Sequence, residues 1–182
     1  MIHRTLESLS AILEYPGAGY NELVGSCCLA VGESLNGDNR KVISGGLDKF
    51  RDGISERSRE ELEELYTRTF DLNPVCSLDL GWHLYAENYD RGTFLVAMRE
   101  ALRRYGIQET QELPDHLPSV LKLLARMPEE EGSALVRDSV LPALRKMIGG
   151  FGDQGNPYGS LIKAIEGILL HRFSQETRSI HP

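Results

Sequence analysis

Asp79, His83 and Glu87 follow one another at four-residue spacing, and carboxylate and imidazole groups in that order are metal ligands when a helix presents them on one face. At 1.5 Å rise per residue the first and last would stand about 12 Å apart, so one ion takes two of the three at most. His116 is the further ligand that a metal-binding helical-bundle enzyme would need, and metal analysis of the purified protein tests that alternative. Cys76, with His83 and His116 as bases, is the candidate nucleophile. No basic neighbour or helix start marks it for a lowered pKa, and it reads as a small, half-buried residue. The run from Gly149 to Gly155 lacks the Lys and Ser/Thr of a phosphate-binding loop and follows no strand. No catalytic residue, resident metal or cofactor is assigned.

A different chemistry concentrates between positions 66 and 94. Tyr66, Phe70, Trp82, Tyr85, Tyr89 and Phe94 fall there, out of one Trp, seven Tyr and five Phe in the whole chain. Asp71, His83, Glu87, Asp90 and Arg91 are interleaved with them. Aromatic rings with charged edges make protein-binding hot spots, whereas the plainer reading puts the same rings in a core. Asp115-His116 is a second polar pair, either bracing a helix start or facing a bound polypeptide.

The elements that must position these residues are helical. Apolar stripes predict helices over 3–14, 20–35, 77–88, 91–105, 116–127, 129–148 and 157–173. Ser58 and Glu61 form a capping box for a helix ending near Asp71. Gly106 is placed for a left-handed C-terminal cap. Asp90 and Asp115 are expected as helix caps, Asn156 as the N-cap before Pro157, and Pro142 as a kink. The Gly-rich stretches 36–46 and 149–156 are expected as flexible loops, with a short helix at 47–52. Sustained alternation is absent, so the expected fold is all-α: a single-domain bundle of about six to eight helices over 1–182. Exchange of helices through the two loops would give a homodimer.

Composition narrows the class. The chain has 182 residues, 41% hydrophobic and 26% charged, as an ordinary globular protein has. A net charge of −7 argues against nucleic acid and suits a basic peptide partner. No run is long enough to span a bilayer, and Glu7 interrupts any signal-peptide core. Three cysteines, Cys27, Cys28 and Cys76, without a C-x-x-C pair, fit a reduced, cytoplasmic chain.

Five segments, in order, then carry a resemblance. They are Leu13-Glu14-Tyr15-Pro16, the run from Leu65 to Asp71 with Asn73-Pro74, Ser77-Leu78 with His83-Leu84-Tyr85 and Asp90-Arg91-Gly92, the run from Glu112 to Pro118, and Asn156-Pro157-Tyr158. Together they resemble the NarJ-type nitrate reductase assembly chaperones, within the wider group that includes TorD-like and DmsD-like proteins. The resemblance implies an all-helical protein that is not an enzyme. It implies binding of the amino-terminal segment of a molybdoenzyme catalytic subunit, most directly respiratory nitrate reductase, during molybdenum cofactor insertion and complex assembly. Another molybdenum oxidoreductase is the alternative client. The peptide site is expected in a groove between the 62–70 and 91–105 helices. Tyr66, Phe70, Trp82 and Tyr85 would wall it, Asp71, Glu87, Asp90 and Arg91 would rim it, and His83, Asp115 and His116 would stand close by.

Overall fold

The Ser58 hydroxyl accepts from the Glu61 amide, and the Glu61 carboxylate accepts from the Ser58 amide at 2.7 Å. This reciprocal pair starts α4 (Arg59–Tyr66) where the sequence places it. The computed structural model describes residues 2–35, 39–152 and 155–173. Before α4 come α1 (Ile2–Ile12), α2 (Tyr20–Ser34) and α3 (Asn39–Ile54). After it come a π turn (Thr67–Asp71), a 3-10 turn (Pro74–Cys76), α5 (Leu80–Tyr85), α6 (Asp90–Arg104) and α7 (Leu117–Arg126). Then α8 (Glu129–Leu135) passes through a second π turn (Val136–Val140) into α9 (Leu141–Phe151), and α10 (Pro157–Phe173) follows. The fold is all-α. Among the described residues the sole β pairing is an isolated bridge between Asp79 and His116.

Local signals with a hydrogen-bonding cause are obeyed. Gly106 takes φ +65°, its amide reaches Arg103 O, and the Ile107 amide reaches Leu102 O, which closes α6 in a Schellman motif. Asn156 Oδ1 accepts from the Tyr158 amide at the start of α10. The bend expected from Pro142 is the π turn just before it, which absorbs the ladder bond that proline cannot make.

Other expectations are corrected. Residues 39–46 are not a loop but the first half of α3, and the helix expected at 47–52 is its continuation. Positions 36–38 and 153–154 lie outside the described residues. Gly149 and Gly150 lie within α9 rather than ending it. Asp90 is the first residue of α6, its own amide held by Asn88 Oδ1, so it is not the cap. Asp115 does not cap α7, whose N-cap is His116.

Packing explains the helical glycines. Helix α10 lies along α3, α9 packs on α10, α2 on α3, and α1 joins α2 to α7. Tyr66, Phe70, Phe151 and Tyr158 interlock edge-on in the interior and Phe50 lies tilted against Tyr158, with ring centroids 4.8–6.5 Å apart. A Cβ on Gly150 would stand 2.5 Å from Val75 Cγ1 and 2.7 Å from Val75 O, so the 3-10 turn rests directly on the α9 backbone. Gly45 faces open space. Gly150→Ala is therefore expected to cost about 1–3 kcal/mol, whereas Gly45→Ala gains about 0.5–1 kcal/mol. Urea midpoints of the two variants should move in opposite directions.

Candidate functional site

The first π turn begins the site. The Leu72 amide donates to Thr67 O, five residues back, at 3.0 Å. That extra residue breaks the α register. It leaves Phe70 buried in the aromatic core and Asp71 exposed beside it. Asn73 then caps the 3-10 turn through the Val75 amide, and Pro74 opens it.

Two backbone bonds next tie the start of α5 to the start of α7: Leu80 N to Asp115 O at 3.2 Å and Leu117 N to Leu78 O at 2.9 Å. Side chains reinforce the joint. His116 Nδ1–H donates to Asp79 Oδ1 at 3.1 Å, and Arg91 approaches Asp79 Oδ2 at 4.0 Å. The Gly81 amide donates to Asp115 Oδ2 at 2.6 Å. A Cβ at Gly81 would lie 2.8 Å from that oxygen, so only glycine leaves the carboxylate its seat. Asp115 is fully buried, and its other oxygen has no hydrogen-bond partner in the protein. Burial pushes its pKa up, against the pull of the Gly81 amide, and the Asp79 charge adds to the rise. The Arg91 guanidinium lies over the Trp82 ring, 5.5 Å from its centroid.

Three clefts open along this joint. The first, of about 310 Å³, is lined by Phe70, Asp71, Pro74, Asp79, Trp82 and Arg91. The second, of about 300 Å³, is lined by Glu14, Tyr15, Tyr66, Asp71, Glu112 and His116, with Lys122 at its edge. The third, of about 430 Å³, runs past Tyr15, Glu60, Glu63, Glu64, Arg68 and Leu72. Asp71 borders the first two and Tyr15 the second and third, so the clefts form one band. Its apolar surface includes Tyr15, 53% exposed, and Leu72, 72% exposed. Six carboxylates line the second and third clefts. The two cations there are already paired, Lys122 with Glu14 at 2.5 Å and Arg68 with Glu64 at 3.7 Å.

Of the residues expected at the site, Phe70, Asp71, Trp82 and Arg91 meet in the first cleft, and Tyr66, Asp71 and His116 in the second. Asp115 lies beneath them. The remaining four line none of the three clefts. Tyr85 packs on Phe94 at 5.5 Å, His83 turns to Ser77 O, and Glu87 and Asp90 are exposed. The walls are α4, the two turns between α4 and α5, α5 itself, the first turn of α6, α7 with the stretch before it, and the segment just after α1. Glu14, Tyr15, Glu112 and Lys122 line the second cleft and are not among the residues expected there. The first three stand inside segments that carried the sequence resemblance, and that is where a signal lay.

The ligand spacing at Asp79, His83 and Glu87 fails because α5 is only six residues long. Asp79 precedes it and Glu87 follows it, so the three share no helix face. Among the described residues no group of three or more His, Cys, Asp or Glu is placed to hold a metal ion. Cys76 is buried, which raises its pKa and removes the basis for a nucleophile. His83 donates from Nε2 to Ser77 O at 2.6 Å, and burial lowers its pKa despite that bond, with Lys146 lowering it further. The folded chain therefore holds His83 neutral where a free imidazole takes a proton. Folding stability is expected to fall as pH drops below about 6.5, and His83→Gln should flatten that slope in urea titrations at pH 5.5 and 7.5.

A family model described as the nitrate reductase delta subunit matches residues 40–159. The chain belongs to the nitrate reductase delta subunit family. The nitrate reductase molybdenum cofactor assembly chaperone NarJ of Escherichia coli K12 is 29% identical over 131 residues, covering 71% of this chain and 55% of that protein. The same chaperone of Escherichia coli O157:H7 is equally similar. The probable assembly chaperone NarW of Escherichia coli K12 is 30% identical over 101 residues, covering 55% of this chain and 43% of its own. The chain thus spans about half the length of the curated relatives it matches. The region shared with the nitrate reductase delta subunit family runs from α3 into α10. It includes every lining residue of the band named above except Glu14 and Tyr15.

Proposed function

We propose that this chain is an assembly chaperone and not an enzyme. It acts in the cytoplasm on the catalytic subunit of a molybdenum oxidoreductase, respiratory nitrate reductase first among them. It binds the amino-terminal segment of that subunit while the molybdenum cofactor is inserted and the complex assembles. The observation that carries this reading is the band of clefts meeting at Asp71, with aromatic walls and carboxylates in excess. Apolar side chains of the client segment lie against Trp82, Pro74, Tyr15 and Leu72. Basic groups of the segment meet Asp71, Glu112 and Glu60, which steer encounter and set direction along the band. Ordering the segment costs several kcal/mol, so affinity is moderate and release is built in. The relatives named above are assembly chaperones, which supports the client class.

Calorimetry with synthetic amino-terminal peptides of molybdoenzyme catalytic subunits tests the proposal. The nitrate reductase peptide should bind with a negative heat-capacity change and weaken with added salt. Asp71→Lys should weaken it further and flatten the salt dependence. A preference for the peptide of another molybdenum oxidoreductase would reassign the client. Absence of binding by any of these peptides would refute the site.

A further inference from the structure

A groove of about 410 Å³ lies between α3 and α10 and shares no lining residue with the band just described. Its floor is smooth. Gly45, Gly46, Ala164 and Gly167 line it, and the two helices approach so closely that a Cβ on Gly167 would sit 3.0 Å from Ile43 Cγ1. Its edges are cationic. Lys41 and Lys49 stand two helical turns apart on α3, about 12 Å along the axis, and Lys163 belongs to α10. All three are exposed, and among the described residues no carboxylate lines the groove. Asp48, beside Lys49 in sequence, turns to Arg51 at 3.0 Å, and Glu166, beside Lys163, turns to Arg145 at 3.1 Å. In a chain of net charge −7, three exposed ammonium groups around one groove run against the overall balance. Val42, 78% exposed, adds an apolar contact at the edge.

We infer that this groove docks an acidic helical segment of a partner protein, its carboxylates on Lys41, Lys49 and Lys163 and an apolar side chain on Val42. Gly46 and Gly167 are spent on the α3–α10 contact, and Gly45, with nothing within 4 Å of a Cβ, lets a helix backbone come close. A single phosphate does not fit the pattern, because two of the ammonium groups are two turns apart and no arginine fork converges between them. A second copy of this chain fits less well, because its acidic helix α4 already pairs Glu63 with Arg59 and Glu64 with Arg68.

Fluorescence anisotropy on the full chain tests this with a labelled Ala/Leu helical peptide carrying glutamates at four-residue spacing, its glutamine analogue and a scrambled acidic peptide. The acidic helix should bind at least tenfold more tightly than either control. Lys41→Glu with Lys163→Glu should weaken it at least tenfold while the client peptide's affinity stays within twofold. Gly45→Leu, which points into open space and favours the helix, should block the groove in a folded protein. Equal binding of the glutamine or scrambled peptide overturns the proposal, as does full retention by the double lysine variant. Sedimentation showing self-association that the lysine substitutions abolish would give the groove to a second copy instead.

Discussion

Trp82→Ala is expected to weaken binding of the client peptide about thirtyfold while the chain stays folded, as a hot-spot loss of about 2 kcal/mol requires. Trp82 lines the first cleft, is half-buried, and carries the Arg91 guanidinium on its ring. Truncation removes the broadest apolar surface of the cleft and releases Arg91 from its fixed position, so a docked side chain loses both a wall and an ordered rim. Because part of the ring already faces water, the stability cost is about 1–2 kcal/mol, well inside the 5–15 kcal/mol of a typical domain. Calorimetry on protein checked by circular dichroism reads the two effects separately. Unchanged affinity in a folded Trp82→Ala protein would place the peptide elsewhere.

Phe70→Ala should behave in the opposite way. Phe70 is 5% exposed, packs edge-on against Tyr66, Tyr158 and Phe151, and offers the cleft only a margin of its ring. Truncation leaves a cavity where several elements meet, and a loss of about 3–5 kcal/mol follows. The urea midpoint should collapse, and any loss of peptide binding should track the unfolded fraction. Normal stability of Phe70→Ala would mean that the aromatic cluster is not the keystone of the bundle. The contrast with Trp82 divides one aromatic stretch of sequence into a part that holds the fold and a part that meets the partner.

That division was not readable from residue types. Tyr66, Phe70 and Trp82 look alike in a sequence. Yet Tyr66 is buried and spends its hydroxyl on Leu13 O at 3.1 Å, whereas Trp82 is half-buried with part of its ring open to the first cleft. Asp115 was read as a cap because an acid before a helical stripe usually is one. The structure instead buries it beneath the Gly81 amide, 34 positions away, and no local rule reports a partner so distant. The ligand spacing at Asp79, His83 and Glu87 assumed a helix through 77–88, but the Asp79–His116 bridge delays its start to Leu80 and Ala86, at φ +51°, ends it at Tyr85.

What the amino-acid sequence determined by itself was set by neighbours in the chain. The Ser58–Glu61 box, the Gly106 cap, the Asn156 cap and the apolar stripes each close within about one helical turn, so the all-α class and most helix limits follow from them. Tertiary structure decided the rest. Gly45 and Gly46 are helical because α3 is packed along α10, and Gly150 because Val75 rests on its backbone. Intrinsic propensity is worth under about 1 kcal/mol per residue, and burial of a helix face exceeds it. The band of clefts exists only where Glu14, Asp71, Trp82 and Glu112, far apart in the chain, are brought to one surface by that packing.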